Sequence, residues 1–445
     1  MVINTCHNQR INGTILNVDT KDNILKQIFF DENKNWESFI KLHPKNIRKI
    51  VLKEVEKFRI CGEEESGFNL FACDFCGEIK VVPHRCKGRF CSVCATGYMQ
   101  EWSKKTAENL YNMPHRHIMF TMPDELWEIF IKRRDLLKNL MDLAAEFLQE
   151  WFKQREKVEI GIMLGVHTFG ATMNFNPHVH LLITEGGLTK DGKMKYVGFI
   201  PYEMMRKKWQ KKVIEMLRKE LSGRDKEKYK KIIEKAYTDN PEGFVVYGPR
   251  NRRKGGIKQQ VGYIGRYMRR PAIALRRILS YDGQMVSFKY FDKTEKKENI
   301  EAITVMEFIA RIVRHIPEKN FKTIRYYGLY SRRNKAKVDK ILKIKKNKIP
   351  KKSWKEKIEA VTGKNPLMCP RCEIEMEFKG QVCMKKGKLV ITYAKCINAR
   401  RRMEELIGYE PTAKEKIPEG RRKEIKDRFR ERKQPIEGQI HLLAM

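Results

Sequence analysis

The chain has 445 residues, of which 93 are Lys or Arg and 55 are Asp or Glu, so its formal net charge is +38. This excess excludes an ordinary metabolic enzyme surface and favours a polyanionic partner, because cations that neutralise phosphates gain affinity by releasing counterions. Nucleic acid is the expected ligand, ahead of an acidic membrane surface. Apolar residues make up 41% of the chain, which excludes a disordered basic protein, and at about 150 residues per domain the length suggests three units.

The first part of the chain reads as helices followed by a strand. Apolar residues at three- and four-residue intervals predict one or two short amphipathic helices over 36–59 and a helix over 97–113. The apolar run 115–122 predicts a strand that ends before a proline. Asp124 is well placed to cap the next segment, 125–154, which predicts one long helix.

The apolar period then changes to that of strands. Residues 158–170 and 177–184 are rich in β-branched and apolar residues and flank the turn-prone segment ATMNFN, which predicts a β-hairpin. Residues 201–236 predict a charged helix or helix pair, and residues 244–249 predict a strand.

The C-terminal half mixes helices, one strand and basic segments. Residues 257–278 read as helical on either side of Pro271, followed by a strand over 286–293 and a helix over 302–316. Residues 334–357 are lysine-rich, which indicates a linker or a solvated basic helix. The charge-dense tail beyond it is expected to be partly disordered.

No run reaches the roughly 18 apolar residues of a membrane span, and the start lacks the apolar stretch of a signal peptide. We therefore expect a cytoplasmic protein without a membrane partner.

In that compartment, its eleven cysteines are expected to be metal ligands or thiols rather than disulfides. Apart from Cys6, they fall into a cluster before residue 95 and a second cluster after residue 368.

Paired Cys-x2-Cys motifs indicate zinc in the first cluster. Zinc takes four N or S ligands, and each motif supplies two thiolates from one tight turn. The simplest predicted site combines Cys73, Cys76, Cys91 and Cys94. Cys61, Cys86 and His84 exceed the needs of this site, so a different quartet or a second metal stays open.

Cations lie among these ligands, including Lys80, Lys87 and Arg89. A zinc module that binds DNA phosphates requires such cations, and a solvated surface explains them equally well.

The second cysteine cluster could hold a further zinc ion through Cys369, Cys372, Cys383 and Cys396. The last two of these cysteines, however, are not spaced as a Cys-x2-Cys motif. The basic surroundings of Trp354 could grip single strands, but a solvated helix is the more ordinary interpretation.

Two histidines in the apolar strand PHVHLLIT predict a metal site. His178 and His180 are two residues apart, so both imidazoles face the same side of the strand. If the hairpin turns near Met173, His167 falls opposite His180 on that same face. Three imidazoles leave coordination positions open for a substrate oxygen, as in catalytic metal sites. A register shift of one residue would remove His167 from the site.

Tyr263 and Tyr267 are spaced as neighbours on one helix face, which they share with Gln259 and Gln260. Nearby cations that could contact DNA are Arg266, Arg269 and Arg270. A tyrosine pair is usually part of a core, but beside a two-histidine strand in a basic chain it indicates nucleophiles. A tyrosine oxygen, with a pKa of about 10, needs a metal that polarises the scissile phosphate and stabilises the leaving oxygen.

Several sequence blocks together resemble a known family. They are the N-terminal cysteine cluster, HRHIMFTMPDELW, HTFGATMNFNPHVHLLITEGGL, YIGRYMRRPAIALRRI and FIARIVRHIPEKNFKTIRYYGLYSRR. In this order, from about Cys61 to Arg333, they resemble the rolling-circle transposases of the insertion sequence ninety-one family, members of the HUH endonuclease superfamily. The resemblance implies an α+β fold, with a central antiparallel sheet flanked by helices, the histidine strand at its centre, and a divalent metal, Mg²⁺ or Mn²⁺.

The resemblance also implies a mechanism. His178 and His180 match the metal-binding motif, and Tyr263 and Tyr267 match the paired nucleophiles. One tyrosine would attack single-stranded DNA, which gives a 5′-phosphotyrosine and a free 3′-hydroxyl, and the second would serve strand transfer.

Two assignments carried over from the family are less defined. His167 is the first choice for the third metal ligand, followed by Gln260 and Gln259. The block FKTIRYYGLYSRR matches the family too, with a DNA-backbone role or a basic strand edge as its two interpretations.

We therefore predict a bacterial DNA transposase that nicks and rejoins single-stranded DNA at the ends of an insertion element and at its target. The chain has no G-x-x-x-x-G-K-[ST] phosphate loop, so unwinding would fall to a host helicase or replication factors. One alternative is a rolling-circle replication initiator or relaxase. A second is a non-catalytic zinc-dependent DNA-binding regulator, which would bind DNA without a covalent adduct.

The predicted organisation has four parts. Residues 1–57 form a helical segment, residues 58–110 a zinc-binding domain, and residues 111–335 the HUH nuclease domain. Residues 336–445 form a basic C-terminal extension with a possible second zinc site.

Overall fold

The computed structural model describes residues 23–248, 271–292, 295–343 and 353–408. The chain divides into two compact units. The first comprises Met1–Ser66 and His84–Pro366, and the second comprises Gly67–Pro83 and Leu367–Met445. The second unit is discontinuous in sequence, so these units cut through the predicted zinc-binding segment 58–110.

Helices and strands alternate irregularly along the described residues. The helices are α1 (Ile24–Phe30), α2 (Asn35–Leu42), α3 (Lys49–Arg59), α4 (Ser92–Asn109), α5 (Trp127–Lys132), α6 (Leu136–Arg155), α7 (Tyr202–Glu220), α8 (Gly223–Thr238), α9 (Val305–Val313), α10 (Arg332–Ile341), α11 (Trp354–Thr362) and α12 (Ile397–Leu406). The strands are β1 (Gly67–Ala72), β2 (Ile79–Pro83), β3 (His115–Phe120), β4 (Glu159–Phe169), β5 (Phe175–Leu188), β6 (Met194–Tyr196), β7 (Val246–Tyr247), β8 (Ile278–Tyr281), β9 (Met285–Asp292), β10 (Lys297–Thr304), β11 (Ile324–Gly328), β12 (Glu377–Lys385) and β13 (Lys388–Ala394).

The first unit is built on an antiparallel sheet with strand order β11-β4-β5-β3-β7, and β6 pairs with the end of β5. The predicted hairpin is confirmed as β4 and β5, and the histidine strand β5 lies at the centre of the sheet. The α+β prediction is therefore confirmed. The block FKTIRYYGLYSRR contributes β11 at one edge of this order.

Alternation of side chains gives the central sheet two different faces. On one face, Ile162 and Leu164 of β4 and Leu181 and Ile183 of β5 are fully buried in an apolar cluster that includes residues of α6 and α7. The opposite face of the same strands carries the histidines, because residues one position away point to the other side of a sheet. This arrangement separates the candidate site from the main core.

A second cluster in the first unit joins the N-terminal helices to a three-stranded sheet, β10-β9-β8. Phe29 and Phe58 of the helices and Phe288 and Phe308 of the sheet and α9 are completely buried in this cluster. The predicted helices over 36–59 are confirmed as α2 and α3.

Three predicted helices differ from the structure at their ends or in the middle. The long helix over 125–154 is broken into α5 and α6, because Arg133 leaves the helical conformation at φ −109° and ψ 71°. The helix predicted to continue beyond Pro271 is wrong, since residues 271–274 are not helical and Leu275–Arg277 form only one 3-10 turn before β8. The helix predicted from residue 302 begins only at Val305, where the Thr304 side chain caps it by accepting a hydrogen bond from Glu307 N.

The second unit consists of one antiparallel sheet, β13-β12-β1-β2, and α12. β1 pairs along its length with β12, so that Phe68 faces Val382 across the two strands. Phe68, Leu70, Val382 and Met403 form its buried cluster. This unit is held together by the pairing of two strands that lie some 300 residues apart in the sequence. No local sequence pattern predicts such a pairing.

None of the described helices combines the length and apolar character needed to cross a membrane.

A buried histidine in β3 links pH to the stability of the first unit. His115 Nδ1 lies 2.7 Å from the Met113 carbonyl, and its Nε2 lies 2.6 Å from the Tyr330 hydroxyl. A carbonyl only accepts, so Nδ1 carries the proton and Tyr330 donates to Nε2. The ring is 5% exposed, and burial lowers the pKa of His115 to about 4 from its ordinary value of 6.5.

We expect acid to destabilise the first unit through this residue. Between pH 6.5 and about 4 the unfolded chain binds a proton at His115 that the native state does not bind, so stability falls as the pH falls. From pH 7 to pH 5 the loss amounts to about 2 kcal/mol. Urea unfolding followed by tryptophan fluorescence should show this loss in the native chain and a flatter profile in His115→Gln. Parallel profiles for the two proteins would contradict the assignment.

Candidate active site and zinc centres

The β4–β5 hairpin brings three histidines together. The turn is closed by hydrogen bonds from Gly170 N to Asn174 O (3.0 Å) and from Met173 N to Gly170 O (3.3 Å), with Met173 at φ 61°. His167 therefore lies opposite His178, not opposite His180 as predicted. The predicted register was wrong by two residues. Because a shift of two residues preserves the face of a strand, His167 still points to the side of His178 and His180.

The three imidazoles form a compact, buried group of nitrogen donors. Their candidate ligand atoms all lie within 4.8 Å of one another. The exposed fractions of His167, His178 and His180 are 6%, 9% and 4%. His178 Nδ1 lies 2.8 Å from the carbonyl of Asn176, so Nδ1 is protonated and Nε2 presents its lone pair. This donor set fits a divalent metal with coordination positions left for substrate.

A fourth histidine, on β3, contacts this group. His117 Nε2 lies 2.9 Å from His180 Nδ1, and the two rings are inclined by only 20°. The contact engages Nδ1 of His180. Sequence reasoning missed His117, although its alternation with His115 in HRHIMF was a signal that it could share the sheet face of the metal strand.

The cysteines form two separate groups of four. One lies in the first unit and consists of Cys61, Cys86, Cys91 and Cys94. The other lies in the second unit and consists of Cys73, Cys76, Cys369 and Cys372. Hydrogen-bonded Sγ pairs are 3.6–3.9 Å apart in the first group and 3.3–3.6 Å apart in the second. Tetrahedral zinc with Zn–S bonds of about 2.3 Å requires sulfur separations of about 3.8 Å, so both groups fit zinc.

This grouping corrects two predictions. The simplest quartet is not assembled, because Cys73 and Cys76 follow β1 into the second unit whereas Cys91 and Cys94 begin α4 in the first. The C-terminal quartet is not assembled either. The Cys383 thiol accepts a hydrogen bond from Thr392 Oγ1 (3.6 Å), and Cys396 caps α12 by accepting from Ala399 N.

The two Cys-x2-Cys turns of the second unit repeat the same backbone pattern. Cys73 N donates to Glu78 O (2.8 Å) and Gly77 N donates to Cys73 O (3.0 Å). In the other turn, Cys369 N donates to Ile374 O (2.9 Å) and Glu373 N donates to Cys369 O (3.1 Å). Gly77 and Glu373 take the same left-handed position, at φ 72° and 52°. Two equivalent knuckles that face each other are the usual frame of a four-cysteine zinc site.

Hydrogen bonds between the thiols of each group favour the thiolate, which zinc binding requires, at some cysteines and disfavour it at others. The pKa is raised at Cys76, Cys86, Cys91 and Cys372. Hydrogen bonds from Cys86, Cys91 and Cys94 hold the pKa of the Cys61 thiol well below its usual range. In the second group, the Cys73 thiol accepts a hydrogen bond from the backbone N–H of Cys76. This bond is the largest cause that lowers the pKa of Cys73 to about 7.

Comparison with known proteins gives a consistent result. A family model described as "Putative transposase" matches residues 161–337, and one described as "Transposase zinc-binding domain" matches residues 32–122. The transposase for insertion sequence element IS801 from Pseudomonas savastanoi pv. phaseolicola is 28% identical over 376 residues, which are 79% of this chain and 88% of that protein. "Putative transposase y4qJ" from Sinorhizobium fredii is 24% identical over 338 residues, 70% of this chain and 84% of that protein. No solved structure gives a significant match.

These matches identify the chain as a transposase, similar to those of the insertion sequence ninety-one family. The transposase carries structural zinc, and its function requires it to bind DNA. The zinc-binding match ends before the second unit's Cys369 and Cys372, so only the structure reveals their partnership with Cys73 and Cys76.

The predicted nucleophiles of the transposase lie outside the described residues. They are Tyr263 and Tyr267. The alternative metal ligands Gln259 and Gln260 and the predicted DNA contacts Arg266, Arg269 and Arg270 lie outside the described residues as well. The described chain resumes at Pro271. Pro271 and the following Ala272 and Ile273 line one cavity together with His167. The described chain that follows the tyrosine segment in sequence therefore starts beside His167.

The cations predicted to contact DNA divide between the two units. Arg89 lines the same cavity as His167, and so does Arg134. Burial, reinforced by Arg48, lowers the pKa of Arg134 to about 10, which leaves it charged at neutral pH. Lys87 lies between two ligands of the first cysteine group, whereas Lys80 lies on β2 of the second unit. His84 joins neither cysteine group, and its carbonyl accepts from Gly62 N (3.0 Å).

Proposed function

We propose that this transposase nicks and rejoins single-stranded DNA at the ends of its insertion element, by rolling-circle transposition through a covalent 5′-phosphotyrosine. The observation that carries the proposal is the buried group of His167, His178 and His180 on adjacent strands of the central sheet. Three neutral imidazoles with open coordination positions belong to catalysis rather than to structure.

In this proposal His178, His180 and His167 hold a divalent cation, Mg²⁺ or Mn²⁺. Imidazole nitrogens prefer Mn²⁺ and later transition metals to Mg²⁺, so Mn²⁺ suits this donor set better. A bound cation supplies Lewis acidity at the scissile phosphate and stabilises the leaving 3′-oxygen. His117 orients His180 through the 2.9 Å contact between His117 Nε2 and His180 Nδ1, which leaves Nε2 of His180 for the cation.

Tyr263 and Tyr267 are the proposed nucleophiles. One phenol oxygen attacks the phosphorus, forms the 5′-phosphotyrosine and releases the 3′-hydroxyl, and the other phenol repeats the reaction during strand transfer. Arg89 beside His167, Lys87, and the cations Arg266, Arg269 and Arg270 are proposed to hold the DNA backbone, since phosphate contacts position a strand without reading its sequence. Host helicases or replication factors would supply the single strands.

The two cysteine groups are proposed to bind one structural zinc ion each. Cys61, Cys86, Cys91 and Cys94 would fix the start of α4 to the end of α3, and the other quartet would close the second unit. These ions have no open position for substrate, so their role is to shape the DNA-binding surface.

A covalent-adduct assay tests the catalytic proposal. The full chain is incubated with labelled single-stranded oligonucleotides from both ends of the encoding element, with and without Mn²⁺ or Mg²⁺, and resolved on a denaturing gel. We expect a protein–DNA band that requires the metal, persists in one or both of Tyr263→Phe and Tyr267→Phe, and disappears in the double variant. DNA binding without any adduct on the true end sequences would instead support the non-catalytic regulator.

A further inference from the structure

The sheet of the second unit has one covered face and one open face. α12 packs on the covered face so closely that a Cβ added to Gly380 would lie 2.3 Å from Met403 Cε. Phe68, Leu70 and Val382 point to this side and are buried. The opposite face carries none of these core residues.

An aromatic row crosses the open face on three neighbouring strands: Phe71 of β1, Phe378 of β12 and Tyr393 of β13. Phe71 pairs directly with Phe378, with ring centroids 5.7 Å apart. Phe378 and Tyr393 are 5.6 Å apart with rings inclined by 6°. Phe378 and Tyr393 are 40% and 50% exposed, so the row presents a broad apolar surface to solvent. Contiguous exposed apolar surface, unlike scattered residues, marks a binding site.

Two irregularities in the strands build this row. The pairing of β1 with β12 shifts between Leu70 and Phe71, and the pairing of β12 with β13 shifts between Gln381 and Val382. In a regular strand, Phe378 and Gln381 would point to opposite faces because they are an odd number of residues apart. The first shift brings both to the open face, since bulges re-aim side chains.

The row is held rigidly at its base. Phe71 packs against the cysteine knuckles, in a cluster with Cys73, Cys369 and Met376. Beside the row, Gln381 Nε2 donates to Asn69 Oδ1 (3.1 Å) across β12 and β1. A rigid platform loses little entropy when a ligand stacks on it.

The charge of this unit favours an anionic ligand. Lys and Arg outnumber Asp and Glu ten to seven in residues 67–83 and 367–408. The turn that joins β12 to β13 carries three exposed lysines, Lys385, Lys386 and Lys388. Asp74 and Glu377, the acids close to the row, are neutralised by salt bridges with two lysines, Lys379 and Lys395.

We propose that the aromatic row and the lysine turn form a binding surface for single-stranded DNA, separate from the histidine site. Unpaired bases stack on Phe378 and Tyr393, and the backbone phosphates contact Lys385, Lys386 and Lys388. Stacking needs bases whose faces are open, which duplex DNA does not offer, and it tolerates any sequence because every base has a π face. The choice of partner rests on the proposed single-strand function.

Binding measurements on the full chain test this surface. Fluorescence anisotropy with labelled oligo(dT) should show about five-fold or greater weakening for Phe378→Ala or Tyr393→Ala, more for the double variant, and recovery in Phe378→Trp or Tyr393→Trp. Phe291→Ala and Tyr237→Ala are matched controls, because these side chains in the first unit are 53% and 51% exposed. Unchanged affinity in the double variant, or an equal loss for duplex DNA, would overturn the proposal.

Photocrosslinking gives a second readout that needs no variant. Oligo(dT) with 5-iododeoxyuridine, irradiated with the native chain, should crosslink to peptides that contain Phe378 or Tyr393. Crosslinks confined to other peptides would reject the surface. The reaction is run without added Mn²⁺ or Mg²⁺, so it is independent of cleavage. If the adduct assay failed while these crosslinks formed, the proposed chemistry would be wrong and this surface would stand.

Discussion

Replacement of His178 or His180 by alanine is expected to abolish metal-dependent cleavage of single-stranded DNA. Each change removes one of three clustered nitrogen donors, and two remaining imidazoles hold a divalent cation too weakly to organise the scissile phosphate. His167→Ala should have the same effect if it is the third ligand. Formation of the covalent adduct, measured over a Mn²⁺ titration, gives both the rate and the metal dependence.

His117→Ala should behave differently from the ligand variants. Loss of its contact with His180 Nδ1 leaves the three donors in place but frees one ring to reorient, so we expect metal affinity to fall by about 10- to 100-fold. Excess Mn²⁺ should then restore adduct formation in His117→Ala but not in His180→Ala. His43→Ala, at the end of α2, is the control. If excess Mn²⁺ rescues none of the four site variants, the positioning role of His117 is refuted.

The second large effect concerns zinc stoichiometry. The native chain is expected to hold two zinc ions, and Cys369→Ala or Cys372→Ala should hold one, because each removes a ligand from the quartet of the second unit. The binding energy of structural zinc is folding energy, so these variants should also lose the ordered structure of the second unit. Elemental analysis of the purified chain gives the stoichiometry, and limited proteolysis reports the order of the second unit.

The matched controls are also cysteines of the C-terminal cluster. Cys383→Ala and Cys396→Ala should keep both zinc ions, since their thiols contact Thr392 and the Ala399 backbone rather than the quartet. Cys61→Ala should lose the zinc of the first unit and leave that of the second. Loss of zinc from Cys383→Ala together with retention in Cys369→Ala would show that a different quartet binds the metal.

The histidine strand β5 shows how much of the candidate site the local sequence pattern can predict. A two-residue spacing in a strand places His178 and His180 on one face whatever surrounds them, because the side-chain period of a strand is two. The position of His167 depended on the turn, and the predicted register differed by two residues from the pairing with His178. The prediction that His167 shares a face with the other two histidines was still correct, because a register difference of an even number of residues keeps each side chain on the same face. A difference of one residue would have buried His167 in the core.

The helical pattern had similar limits. Apolar periodicity placed α2, α3 and α6 because an amphipathic stripe must face a core. It did not show the break at Arg133, nor that the segment after Pro271 forms only one 3-10 turn before β8. Short segments of this kind take the conformation that their neighbours in space allow, since local preferences are weaker than tertiary packing.

The amino-acid sequence by itself determined the class of this protein: a basic chain with paired cysteine knuckles, a histidine strand and family blocks that mark a transposase. Local chemistry decides such features, since ligand type and strand period do not depend on distant contacts. Only the tertiary structure decided which cysteines share a metal and that His117 supports His180. Both depend on strand pairings, β1 with β12 and β3 with β5, between segments far apart in sequence. Nearly every residue type offers the same backbone donor and acceptor, so the sequence of a strand does not show which distant strand it pairs with.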